Sequence, residues 1–108
     1  MSCAAWPTSD LRRVARKLRC HAPAGDVVVR RHFSKAYGGD LGRAWLRPDG
    51  TAMISIARNL PAEAAVDTLV HEWGHVLAWR RYGDDVDDHG PEWGMCMAEA
   101  FVASRRDV

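Results

Sequence analysis

The chain has 108 residues, 47% of them hydrophobic and 27% charged, with a formal net charge of +1. That size suits one domain spanning residues 1–108 around a single core, and the composition excludes a disordered chain. No apolar run approaches the ~20 residues of a membrane-spanning helix, and three cysteines (Cys3, Cys20 and Cys96) cannot close a disulfide framework.

From about Ser9 to Cys20, Leu11, Val14, Ala15 and Leu18 recur at helical spacing, with Arg12, Arg13, Arg16, Lys17 and Arg19 between them. This predicts an amphipathic helix packed on a sheet, stopped by His21-Ala22-Pro23-Ala24-Gly25. Asp26 to Phe33 is β-branched and predicts a strand. Gly42–Leu46 and Thr51–Ala57 flank Arg47-Pro48-Asp49-Gly50, whose Pro presets φ for a turn, so the two segments predict an antiparallel hairpin. In the second of them, Met53, Ser55 and Ala57 alternate with Ile54 and Ile56, the pattern of a half-buried strand.

Asn59-Leu60-Pro61 opens a long helix to about Tyr82, with Val66, Leu69, Val70, Trp73, Val76 and Leu77 as its core stripe and Gly83 at its end. A polar loop, Asp84 to Gly90, leads to a last helix from Pro91, with Trp93, Met97, Ala100 and Phe101 on its apolar side. One helix, three strands and two helices predict an α+β fold with a mostly antiparallel three-stranded sheet.

Charge is unevenly spread: residues 1–58 hold eleven Lys/Arg against four Asp/Glu, net +7, and residues 59–108 hold four against ten, net −6. Most of the basic residues are Arg, which suits forked contacts with phosphate or carboxylate.

The chemistry concentrates in His71-Glu72-Trp73-Gly74-His75 on the long helix. Four residues advance a helix by about 400°, so the two imidazoles leave one face a turn apart, where a single Zn²⁺ can bind both. Glu72 lies beside that face, within reach of a water on the metal. Catalytic zinc usually has three protein donors. His89, fourteen positions on, supplies the third from the loop; Glu99 on the last helix and the loop acids Asp84, Asp85, Asp87 and Asp88 are the alternatives. Tyr37, Tyr82 or an Arg is a candidate to share the charge developing on a carbonyl oxygen, and no spacing selects among them.

The segment Thr68-Leu69-Val70-His71-Glu72-Trp73-Gly74-His75, followed by His89-Gly90-Pro91-Glu92-Trp93, resembles the SprT-like metallopeptidases, which include the Spartan DNA–protein crosslink proteases. Gly42-Arg43-Ala44 and Ile54-Ser55-Ile56-Ala57 are similar to that family's strand pair before the active-site helix. The resemblance covers about residues 10–103 and implies a zincin-like fold, with His71, His75 and His89 as zinc ligands and Glu72 as catalytic base. Many members add a C-terminal zinc ribbon with four cysteines. This chain is expected to be a minimal protease core without one.

The expected function is therefore a zinc-dependent metallopeptidase acting on a protein or peptide, with proteins associated with DNA as one substrate class. Its rivals are a non-catalytic domain stabilised by zinc and a nucleic-acid-binding module. The Arg-rich N-terminal half offers a weak contact surface for nucleic acid. With no signal-like apolar stretch and unpaired cysteines, the expected location is intracellular, cytoplasmic or nucleoid-associated.

Overall fold

A computed structural model describes residues 6–33, 39–83 and 85–106. Six elements follow in chain order: α1 (Trp6–His21), β1 (Val27–His32), β2 (Gly42–Leu46), β3 (Ala52–Ala57), α2 (Ala62–Tyr82) and α3 (Pro91–Ser104). The architecture is α+β.

The turn between β2 and β3 forms as its composition requires. Arg47 accepts from the Gly50 N–H at 2.9 Å, and the Asp49 carboxylate accepts from the Thr51 N–H at 2.9 Å. β2 runs antiparallel to β3, pairing Ala44 with Ile54. β1 pairs with the other edge of β3 in parallel, placing Val29 opposite Ile54. The sheet order is β1-β3-β2, so the sheet is mixed, and of its two pairings only the hairpin is antiparallel.

β3 is buried at all six positions, not half-buried as its alternation implies. It lies between two strands, and both of its faces are covered. Ala52, Ile54 and Ile56 join the core shared with the helices. On the other face, Ser55 Oγ is 2.7 Å from His32 Nδ1, and the Arg47 guanidinium reaches Met53 Sδ at 3.6 Å.

The apolar stripe of α1 behaves as its spacing demands: Leu11, Val14, Ala15 and Leu18 are all buried. It packs chiefly on α2 and α3, and not across the sheet. At its C-terminal end the Trp73 indole donates to the Ala22 carbonyl at 2.8 Å, which ties α1 to the middle of α2. α1 also extends past both expected ends and includes His21.

α2 buries Leu69, Val70, Trp73, Val76 and Leu77, and Gly83 ends it with its N–H on the Trp79 carbonyl. Pro61 is the cap and not the first helical residue, a one-position difference at a boundary. α3 crosses α2 closely, because a Cβ on Gly74 would sit 3.1 Å from the Met97 Cα. Of the residues expected on the apolar side of α3, Ala100 is buried but Phe101 is 45% exposed; Cys96 and Ala103 join Ala100 in the core. Cys96 is thus a small core residue, and Cys20 is an exposed free thiol. No helix among the described residues is long and apolar enough to cross a membrane.

Candidate metal centre

His71 and His75 leave α2 on one face, one turn apart, and their ring centroids are 5.0 Å apart. The third imidazole comes from the loop before α3. His89 has a φ of 59°, the only positive φ at a non-glycine residue among the described residues. That left-handed conformation costs a side-chain-bearing residue about 1–2 kcal/mol. Gly90 and Pro91 then open α3, and the His89 ring lies over α2.

His89 Nε2 is 3.3 Å from His71 Nε2, and the His89 ring centroid is 4.9 Å from that of His75. One donor atom from each of the three residues lies within 4.8 Å of the others. Two nitrogens bound at ~2.05 Å to one tetrahedral zinc are ~3.3 Å apart, so the His71–His89 separation fits a shared cation. The protonation states fit as well. Burial, then the neighbouring His89, pushes the His71 pKa down. Burial, reinforced by His71 and His89 and opposed by Asp88, brings His75 down to about 4. A neutral imidazole has a lone pair free for a metal.

Glu72 stands next to this cluster with its pKa pushed up to about 7, chiefly by burial and further by the charges of Asp40 and Asp88. Its side chain faces the start of β2. A Cβ at Gly42 would lie 2.3 Å from Thr68 Cγ2 and 3.2 Å from Glu72 Oε2, so only glycine lets this edge strand come so near the helix. The approach is anchored from below: His32 Nε2 is 2.9 Å from the Asp40 carbonyl while its Nδ1 holds Ser55.

Trp93 closes the other side. Its ring centroid lies 5.2, 5.4 and 4.6 Å from those of His71, His75 and His89. Its indole N–H is buried without a hydrogen-bond partner among the described residues. Trp79 stacks on His75 at 6.1 Å.

The alternatives for the third donor lie elsewhere. Glu99 takes a forked pair from Arg81 at 2.7 and 2.6 Å, which holds its pKa below the usual carboxylate range. Asp88 comes no closer than 3.9 Å to His75 Nδ1, and neither Asp85 nor Asp87 belongs to the donor cluster. Asp84 and Tyr37 lie outside the described residues. Tyr82 is exposed at the end of α2, about 10 Å along the axis from His75.

Sequence reasoning brought together His71, Glu72, His75 and His89 but missed Asp40, Gly42, His32 and the lid formed by Trp93. His32 and Ser55 are diagonal neighbours across the parallel pairing, a relation that exists only once the register is known.

Fold and site together define a class: an α+β domain whose central helix and following loop present three histidines able to hold a metal. More narrowly, the chain belongs to the SprT-like family, whose model matches residues 12–106. Comparisons with curated proteins and with solved structures gave no match.

Proposed function

We propose that the chain is a zinc-dependent metallopeptidase in which His71, His75 and His89 hold Zn²⁺ and Glu72 is the general base. One observation carries this reading. Three imidazole donors within 4.8 Å of one another lie beside a buried carboxyl poised at about 7. Three histidine ligands leave a fourth position open. When bound, the cation would supply Lewis acidity, polarising a carbonyl oxygen and lowering the pKa of a water towards ~7.

Glu72 takes a proton from the attacking water and returns it to the leaving amine. The closely packed β2 limits bulk water around the carboxyl. β2 is an edge strand beside Glu72, so an extended substrate pairs its main chain there and recognition is tolerant of side-chain identity. The family likeness extends the substrate class to proteins bound to DNA. The free thiols of Cys20 and Cys96 support an intracellular location.

The competing reading is a non-catalytic domain in which zinc only fastens the 85–90 loop to α2. Glu72 argues against it, because a carboxylate beside the three donors is a base that a purely structural site does not need. Glu72→Gln separates the two. Metal content should stay at about one zinc per chain while hydrolysis of an unfolded protein falls by about 10²–10⁴-fold. Wild-type chain that binds zinc and cleaves no protein at any pH leaves the structural reading standing.

A further inference from the structure

α3 is apolar on both sides. Cys96, Ala100 and Ala103 face the core. The outer side carries Pro91, Gly94, Met95, Ala98, Phe101 and Val102, and every exposed position from Pro91 to Val102 is thus apolar or glycine. Met95 is 64% exposed and Val102 58%. α1 behaves in the opposite way, exposing Arg12, Arg13, Arg16 and Arg19. A helix that is apolar all round belongs in an interior, and a contiguous apolar patch on a surface marks a contact with another molecule. Pro91, Met95, Ala98 and Val102 also recur at steps of four, three and four, the seam along which two helices interdigitate.

Charge at the two ends of α3 selects what covers this seam. Asp85, Asp87 and Asp88 are exposed just before the helix, and Glu92 is in its first turn. Arg105 and Arg106 are exposed at the other end, about 21 Å away. Arg105 folds over the Phe101 ring at 4.3 Å, whereas neither Arg106 nor Glu92 has an ion pair among the described residues. A second α3 turned end for end matches apolar to apolar along the seam and basic to acidic at both ends. A parallel copy would set like charges together. A groove of about 330 Å³ lies between the end of α1 and α3, lined by His21, Ala98, Glu99, Val102, Ala103 and Arg106. It opens beside Val102, where a flexible thioether from the other copy can fill it.

We propose that α3 pairs antiparallel with α3 of a second copy about a twofold axis near Ala98, with Met95 of each copy against Val102 of the other and Arg106 of each beside Glu92 of the other. Such a contact is self-complementary and closes at two copies. A strip about 21 Å long and 10–12 Å wide covers well under the ~800 Å² per partner of a standard interface, so the dimer is weak. The arginine end of each copy borders the 85–88 loop of the other. None of the three histidines takes part, so the pairing stands or falls independently of peptidase activity.

The test is sedimentation equilibrium of the full chain over a wide concentration range. A monomer–dimer equilibrium with a Kd on the order of 10–100 µM is expected for so small a strip. Ala98→Arg sets two like charges together near the axis and should weaken association at least about tenfold. Its Tm should not change, because the position is exposed and Arg is a good helix former. Val102→Gln serves if that variant does not fold. Glu92→Arg, and separately Arg105→Glu/Arg106→Glu, should each weaken the dimer by about three- to tenfold. Combining these changes in one chain restores opposite charges at both ends and should recover the wild-type Kd. A chain that stays monomeric at every concentration, oligomers that grow beyond two copies, association indifferent to Ala98→Arg, or no recovery in the combined variant would each overturn the pairing.

Discussion

On the side of α2 that meets α1, Trp73 is fully buried and its indole N–H is satisfied by the Ala22 carbonyl at 2.8 Å. On the side that meets the 85–90 loop, Trp93 presses against three imidazoles and its buried N–H has no partner among the described residues. The contrast extends beyond the two indoles. The first side is aliphatic, its one unpartnered buried polar atom among the described residues being His21 Nε2 at the end of α1; the second combines a left-handed His89, two histidines forced neutral and a carboxyl displaced upward to about 7. One side of the helix contributes stability, and the other stores cost where a cation and a reaction can use it.

Substitutions on the two sides should therefore move different observables. The largest effect is expected from His89→Ala. Zinc affinity should fall at least ~10²-fold, since loss of a ligand exceeds the 10–100-fold cost of losing a supporting partner, while melting of the metal-free chain should not fall. Metal titration beside thermal melting reads both, and a metal-free chain that unfolds on this change would show that the loop also serves stability. Trp73→Phe should do the reverse. It leaves the Ala22 carbonyl without its donor, costing about 1–3 kcal/mol, or on the order of 5–15 °C in Tm, with zinc binding unchanged.

The pH dependence of the metal-free chain sharpens the same contrast. The Glu72 pKa is raised from 4.5 to about 7. Between those values the native state binds the extra proton, so its contribution makes stability fall as pH rises, with the full cost present above 7. The His75 pKa is lowered from 6.5 to about 4, so its contribution is present above 6.5 and is lost as pH falls towards 4. The two slopes oppose each other in one window. Glu72→Gln removes the first, so the variant should be more stable than wild type above pH 7. Its Tm should also rise more steeply between pH 4 and 6.5; parallel Tm–pH curves for the two proteins would show that Glu72 is not perturbed. The smallest effect belongs to Trp93→Phe, which deletes an unsatisfied donor. Metal-free Tm should hold or rise by a few degrees, the opposite sign to Trp73→Phe.

Much of this contrast could be read from residue order, and the reason is local physics. Helical spacing alone put Leu11, Val14, Ala15 and Leu18 in the core, and the i, i+4 rule placed His71 and His75 on one face. Pro48-Asp49-Gly50 announced its turn. What stayed hidden depends on partners distant in the chain. The parallel pairing of β1 decides that β3 is central, and its alternating pattern cannot reveal that the second face is also covered. The His32–Ser55 contact and the exposure of Phe101 follow from that packing and from the crossing of α3. His89 was legible as a donor, but the φ that aims it was not.

Gly74 lies between the two sides of the helix, and a single added methyl there would meet the Met97 backbone at 3.1 Å. α3 carries Trp93 and follows directly from His89, so how near that ring comes to the imidazoles depends on a residue with nothing to offer but thinness.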